Sequence, residues 1–376
     1  MILLSAMLGA LLLYLLQNYF YHKYWNKNLS VMLSFSEEAA VEGEEVILYE
    51  TLMNKKLLPL PILKVKFMTS KYLAFQDMNN SNITDNFYRN DLISIMMYQK
   101  LTRSLTFLCS HRGYYSIQNA DVVCSDLFLT FEKVANYDMN LNLYVYPGPV
   151  ELTKFETPFK KMLGTVLTRR FMNEDPFEFR SIREYQPYDN IKSVNWKASA
   201  KTGSLKVNVN DYTSSQQVKL FINLEADSIW KHEDLEEESI RIAAAFAFAF
   251  IKQGIPTSIH TNTRDIITGD LLTIPAGSGA SHIKTIQEAL SRIDTTKTFP
   301  SFVTTLGEEF QASGSSDYII LISFYQKADL QELLLPFTEN RTDFSWIIPT
   351  NREVTITTGD GFEPYIIPWE VKAFSS

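Results

Sequence analysis

The chain is short of the residues on which reactive centres are usually built. Its 376 residues include two cysteines, Cys109 and Cys124, and five scattered histidines, His22, His111, His232, His260 and His282. The cysteines have neither C-x-x-C spacing nor the density of a secreted disulfide framework, so reduced thiols in a cytoplasmic setting are expected. No two histidines stand at zinc-ligand spacing. Gly277-Ser278-Gly279 is a lone glycine pair without the Lys-Ser/Thr that completes a phosphate loop. Basic charge is also scarce: 35 Lys and Arg stand against 43 Asp and Glu, for a net charge of -8. That balance argues against a nucleic-acid binder, which needs a basic face.

One end of the chain lacks charge altogether. From Met1 to Tyr21 there is no acidic or basic side chain, and Ile2 to Leu16 is almost continuously apolar. A helix rising about 1.5 Å per residue nearly spans a hydrocarbon layer of about 30 Å over such a stretch. Tyr19, Phe20, Tyr21, Tyr24 and Trp25 follow, where an interfacial aromatic belt would lie. A signal peptide would carry a basic leading region and a small-residue cleavage site, and neither precedes Gln17. Residues 1–25 are therefore expected to be a single-pass membrane anchor in contact with lipid. His22, Lys23 and Lys27 flank the span on one side only, so the positive-inside rule places the bulk of the chain in the cytoplasm.

The length allows two or three domains, each with its own core. Residues 28–150 read as all-β, a β-sandwich, from short runs rich in β-branched and aromatic residues: Val31–Phe35, Glu45–Leu52, Ile62–Met68, Ser94–Leu101, Ser104–Cys109 and Leu141–Tyr146. Asn79 to Asn90 is rich in Asn and Asp and reads as a surface loop. Cys109 and His111 share a strand face, and a half-buried strand without chemistry is the favoured reading of the pair.

Residues 151–215 read as a linker segment, with a basic stretch around Lys160, Lys161, Arg169 and Arg170 suited to a solvated face or lipid headgroups. Within it, Phe177 to Lys206 packs charge, aromatics and turn residues more densely than any other stretch. Arg180, Arg183, Glu184, Tyr185, Asp189, Trp196 and Lys197 are the candidate partner-binding or structural residues. Unpaired buried charge is costly, so Arg183 or Asp189 is expected in a largely buried ionic network, with Trp196 mostly buried against the C-terminal domain.

Residues 216–376 change period. Compact apolar runs at Val218–Leu224, Pro256–Thr261, Asp317–Ser323 and Phe344–Ile348 read as strands. Helices are expected between them, one opened by the acidic run Glu233 to Glu238, others at Ser281–Ile293, Val303–Phe310 and Ala328–Phe337. Ala243 to Phe250 is assigned to helix, because alanine is the best helix former and Phe246 and Phe250 lie four apart. Alternating strands and helices argue for a doubly wound α/β sheet with its ligand sites at the strand C-termini.

The pattern R-E-Y-x-P-x-D-x(5)-N-W-K-A-S-A, from Arg183 to Ala200, closely resembles the signature of domain-of-unknown-function family fifty-eight, found in bacteria and archaea. Arg112-Gly113-Tyr114 and Asp126-Leu127-Phe128 resemble elements upstream of that signature. The resemblance implies a von Willebrand factor A-like C-terminal domain, membrane tethering, a MoxR-type AAA+ ATPase as partner and no established catalysis. It is strongest from Glu178 to Gly203. This chain has Asp175, Pro176 and Tyr188 where the family usually has glycines.

Von Willebrand A domains open a Mg²⁺ site after the first strand with Asp-x-Ser-x-Ser. The corresponding residues here are Asn223, Glu225 and Asp227, an oxygen-bearing set whose leading carboxylate is an amide. Weak Mg²⁺ binding or none is expected, and no other cofactor. The resulting expectation is a membrane-anchored protein-interaction module that binds a cytoplasmic partner rather than turning over a substrate. The alternative is a metal-dependent hydrolase working through the degenerate site at the strand ends.

Overall fold

The computed structural model describes residues 2–77, 81–84, 86–172, 174–187, 189, 191–212, 217–226, 231–313, 317–340 and 343–371. It is a mixed α/β chain rich in sheet that divides into two compact units, Met1–Gly148 and Pro149–Ser376.

The first unit opens with helix α1 (Ile2–Tyr24), which is long and apolar enough to cross a membrane. Its residues from Leu4 to Leu13 are exposed, but Tyr21 and, just past its end, Trp25 are buried among Leu29, Leu60, Leu63 and Val122. Among the described residues ten strands follow: β1 (Leu29–Phe35), β2 (Ala39–Val41), β3 (Glu45–Asn54), β4 (Leu60–Ser70), β5 (Leu73–Phe75), β6 (Ser81–Ile83), β7 (Asn86–Ile95), β8 (Lys100–Cys109), β9 (Gly113–Ser125) and β10 (Glu132–Tyr146). They form a four-stranded sheet, β1-β3-β8-β5, and a six-stranded sheet, β2-β10-β9-β4-β7-β6. All pairings are antiparallel except β10 with β2. Alternate residues point inward, as a strand's period of two requires. Leu48 and Phe107 of one sheet thereby meet Phe67, Phe87, Ile117 and Leu143 of the other in one core.

Two of the expected boundaries fall elsewhere. Ser94–Leu101 is not one strand: β7 ends at Ile95 and β8 begins at Lys100, with a turn between in which Gln99 Oε1 accepts from the Met96 amide at 2.7 Å. The expected loop Asn79–Asn90 is strand at Ser81–Ile83 and Asn86–Asn90, with Asn79 and Asn80 outside the described residues. Phe87, Arg89, Asp91 and Ile93 face inward along β7, and the charged pair among them hides the apolar alternation. The two cysteines are free and buried, and burial pushes both thiols up to about 12.

In the second unit come α2 (Leu152–Met172), β11 (Glu174–Glu184), α3 (Trp196–Thr202), β12 (Lys206–Tyr212), β13 (Val218–Asn223), α4 (Glu233–Lys252), β14 (Thr257–Arg264), β15 (Leu271–Gly277), α5 (Ala280–Ser291), α6 (Phe302–Gln311), β16 (Tyr318–Ser323), α7 (Ala328–Asn340), β17 (Phe344–Thr350) and β18 (Ile366–Glu370). The main sheet runs β15-β14-β13-β16-β17-β18, parallel apart from β15. Both of its faces are covered. Leu220, Ile222, Ile320 and Ile322 pack with Phe246 and Phe250 of α4, while Phe221, Ile319 and Leu321 pack with Phe302, Phe310 and Leu334 of α6 and α7. Such doubly covered strands read as continuous apolar runs, which is why β13 and β16 stand out in the sequence. Within 151–215, helix α2 buries Met162 and Val166 in the α4 core, and β11 pairs with β12 as a separate hairpin.

Candidate functional site

The hairpin β11-β12 and the short helix α3 hold the signature residues. Arg183 and Glu184 end β11, in register with Val207 and Lys206. Beyond them Asp189 closes the turn that carries Pro187. Its two carboxylate oxygens take hydrogen bonds of 2.6 Å each from Nη1 and Nη2 of Arg183, and Oδ2 also accepts from the Gln186 amide at 2.7 Å. The bidentate Arg183 fork holds the Asp189 carboxyl below the usual carboxylate range. Glu184 pairs across the hairpin with Lys206 at 3.0 Å. Asn195 caps α3 by accepting from the Ala198 amide at 2.9 Å, and Gly203 at φ 72° ends it in the left-handed conformation that glycine permits.

The paired charges are as expected, and the Asp189 side chain is only 8% exposed. The Arg183 side chain is 44% exposed, however, and Trp196, expected in a buried joint, is 66% exposed. The reason is local: among its described side chains this layer buries Val194, Ser199 and Val207, and Trp196 occupies the first position of a seven-residue helix whose inward contact is Ser199, three residues on. Ile182 of β11, Ile191 in the turn before α3, Lys197 of α3 and Leu205 just before β12 are also exposed. Tyr185 is half-buried, its amide donating to the Leu205 carbonyl at 2.9 Å. Arg180 lies in β11, with its side chain outside the described residues.

At the C-terminal ends of the parallel strands the chemistry is that of amides. Asn223 Oδ1 accepts from the Glu225 amide and from Nδ2 of Asn262, each at 2.9 Å, and its own Nδ2 donates to Ser323 Oγ at 3.1 Å. Asn262 Oδ1 in turn accepts from the Leu224 amide at 3.1 Å. Glu225 Oε2 accepts from the Phe302 amide at 2.9 Å, so this carboxylate sits at the positive end of α6. A hard divalent cation needs several converging oxygens with anionic charge. Here the leading position turns an N–H toward Ser323, and Glu225 is committed to a helix terminus. Asp227 lies outside the described residues, and among those described no three His, Cys, Asp or Glu side chains converge. The described donor set does not fit a Mg²⁺ ion.

Sequence reasoning missed a cluster of buried charges between the two sheets of the first unit. Arg89 Nε donates to Asp91 Oδ2 at 2.5 Å, and Arg103 lies 3.4 Å from both Asp91 and Glu50. Arg89, Asp91 and Glu50 are essentially inaccessible, and burial raises the Glu50 carboxyl to about 7. The available signal was the two-residue spacing of Arg89 and Asp91, which puts them on one face of β7.

Residues 181–334 match a family model described as "Protein of unknown function DUF58". The "Uncharacterized protein YeaD" of Bacillus subtilis (strain 168) is 22% identical over 156 residues, which are 42% of this chain and 38% of that protein. The chain thus matches well under two thirds of that relative's length. Among solved structures, a CARDB domain from Pyrococcus furiosus aligns with 31% of this chain and 90% of its own at 12% identity and a TM-score of 0.20. A non-cellulosomal cohesin from Archaeoglobus fulgidus aligns with 31% and 91% at 13% identity and a TM-score of 0.22.

Proposed function

We propose that this chain, whose residues 181–334 belong to the family of unknown function DUF58, is a membrane-anchored interaction module that works by binding rather than turnover. In this reading α1 is a single-pass anchor and the remainder of the chain is cytoplasmic. The first unit is a β-sandwich and the second a doubly wound von Willebrand A-like domain. The partner that the family resemblance implies is a MoxR-type AAA+ ATPase.

One observation carries the reading: the signature segment exposes a tryptophan on an ordered, ion-paired frame. Large aromatic side chains tend to dominate binding energy when a partner desolvates them, and contiguous exposed apolar surface rimmed by charge marks interaction sites. Trp196 is such a side chain, with Ile182, Ile191 and Leu205 also exposed in the segment, and Arg183, Asp189 and the α3 cap hold the turn and helix in shape before binding. The strand-end alternative, a metal-dependent hydrolase, is not favoured, because Asn223 and Glu225 are spent on hydrogen bonds within the fold.

The test is co-purification of full-length protein from detergent-solubilised membranes with a MoxR-type ATPase supplied in the same cells. Trp196→Ala should lose most of the recovered ATPase while its unfolding temperature stays that of the wild type. Equal recovery from both proteins would remove Trp196 from the interface and the reading with it.

A further inference from the structure

The strand registers bring three loops of the first unit to the end where α1 enters. Leu29 pairs with Asn54, Leu60 with Ile95, and Leu63 with Cys124, so the connections β3-β4, β7-β8 and β9-β10 all open on that side. Each exposes apolar side chains: Leu57 at 70%, Met97 and Tyr98 at 54% and 67%, and Leu127, Phe128 and Leu129 at 52%, 62% and 65%. Loops of soluble proteins are ordinarily polar at their tips, and three apolar tips at one end form the kind of patch that calls for a covering phase.

The loops are also fastened to one another and to the helix. Asn54 Nδ2 donates to the carbonyls of Leu58 and Met96 at 2.9 Å each, joining the first two loops. Tyr21 Oη donates to the Pro59 carbonyl at 2.7 Å. On the third loop, Asp126 accepts from Gln17 Nε2 at 3.0 Å and from the Thr130 amide and hydroxyl at 2.6 Å, and the Phe128 ring lies 5.9 Å from that of Tyr14. Tyr14 stands ten residues before the end of α1 at Tyr24, hence about 15 Å along the helix axis at about 1.5 Å per residue. If the Tyr19–Trp25 belt lies at the interface, a ring beside Tyr14 lies below it, within the bilayer. With Tyr21 and Trp25 built into the core, α1 joins the unit without a free linker, so its direction fixes the loops' depth.

We infer that the loops Lys55–Pro59, Met96–Gln99 and Asp126–Phe131 insert into the lipid interface beside α1, seating the first unit on the bilayer surface. The ligand is the lipid itself, apolar at Leu57, Met97 and Leu127–Leu129. Lys23 and Lys27, stacked over the Tyr24 ring, are placed for anionic headgroups. This rests on the reading of α1 as an anchor.

The test uses full-length protein in phosphatidylcholine–phosphatidylglycerol vesicles containing nitroxide-labelled lipids. An environment-sensitive fluorophore is placed at Phe128→Cys, Met97→Cys or Leu57→Cys, with Leu8→Cys in α1 and Glu37→Cys at the far end of the unit as references. The native thiols are buried and do not compete for label. The expected result is strong quenching at Leu8 by mid-chain nitroxides, clear quenching at all three loops by shallow nitroxides, deepest at Phe128, and none at Glu37. Quenching at Leu8 with none at the loops would leave the anchor standing and overturn the inference, since the loops would then face water or another protein. No quenching at Leu8 would overturn both.

Discussion

Two arginine–aspartate pairs in this chain have nearly the same bond lengths and opposite surroundings. Arg89 and Asp91, two residues apart on β7, meet at 2.5 Å with both side chains shut away between the sheets of the first unit. Arg183 and Asp189 meet at 2.6 Å at the end of β11, where the guanidinium is 44% exposed. The first pair belongs to a chain of charges reaching Arg103 and Glu50, while the second shapes a turn in the segment that carries the exposed Trp196. Bond length therefore says little about what an ion pair does. In a poorly hydrated interior, each member of the pair is needed to offset the other's desolvation, so losing one is severe. At the surface water takes over for a lost partner, and the pair chiefly fixes geometry.

The contrast breaks most visibly at Arg89. Arg89→Ala leaves Asp91 buried without its closest cation, and unfolding of the full-length protein in detergent should show a loss of about 3–5 kcal/mol. Replacing both members, as Arg89→Met with Asp91→Leu, should recover most of that loss, because the buried charge goes with its partner. A loss below about 1 kcal/mol in the single variant would mean that water reaches the pair.

Glu50 sharpens the comparison through pH. Burial holds its proton up to about pH 7, against an ordinary value of 4.5. Between those values the folded state binds more protons than the unfolded one, so this residue makes stability fall as pH rises, and the fall ends above about 7. Glu50→Gln should flatten that slope and make the protein more stable than wild type above pH 7, by at most roughly 3 kcal/mol. An unchanged slope between pH 4.5 and 7 would show that Glu50 is already ionised in the folded protein.

How far the sequence revealed this follows from the same physics. Strands β13, β14, β16 and β17 and helices α4 to α7 were legible because both faces of the sheet are covered, and apolar runs report that directly. The hidden elements are those whose burial is polar or absent. Strand β7 carries Arg89 and Asp91 inward, so Asn86 to Asn90 read as a loop. In the layer of β11, β12 and α3 the described side chains leave Trp196 uncovered, whatever the density of aromatic residues around it. At the strand ends, the missing carboxylate at Asn223 was visible in the sequence. Its partner Asn262, from β14, was not, because only the parallel register brings the two together.

At the small end of the scale stands the signature pair. Arg183→Ala should lower the unfolding temperature far less than Arg89→Ala in the same preparation, and Trp196→Ala should scarcely move it, since neither change uncovers a core. A drop at Arg183 or Trp196 as large as that at Arg89 would make the segment a structural joint after all.

Hydroxyl-radical footprinting of the tryptophans in the full-length protein reads this difference without any substitution. Trp196 is 66% exposed, while Trp25, Trp346 and Trp369 are 7%, 0% and 2% exposed. In the protein alone Trp196 should oxidise many times faster than those three, and adding a MoxR-type ATPase should slow it to their rate. Slow oxidation of Trp196 in the isolated protein would contradict the exposed docking surface, and fast oxidation unchanged by the ATPase would contradict that partner at this site.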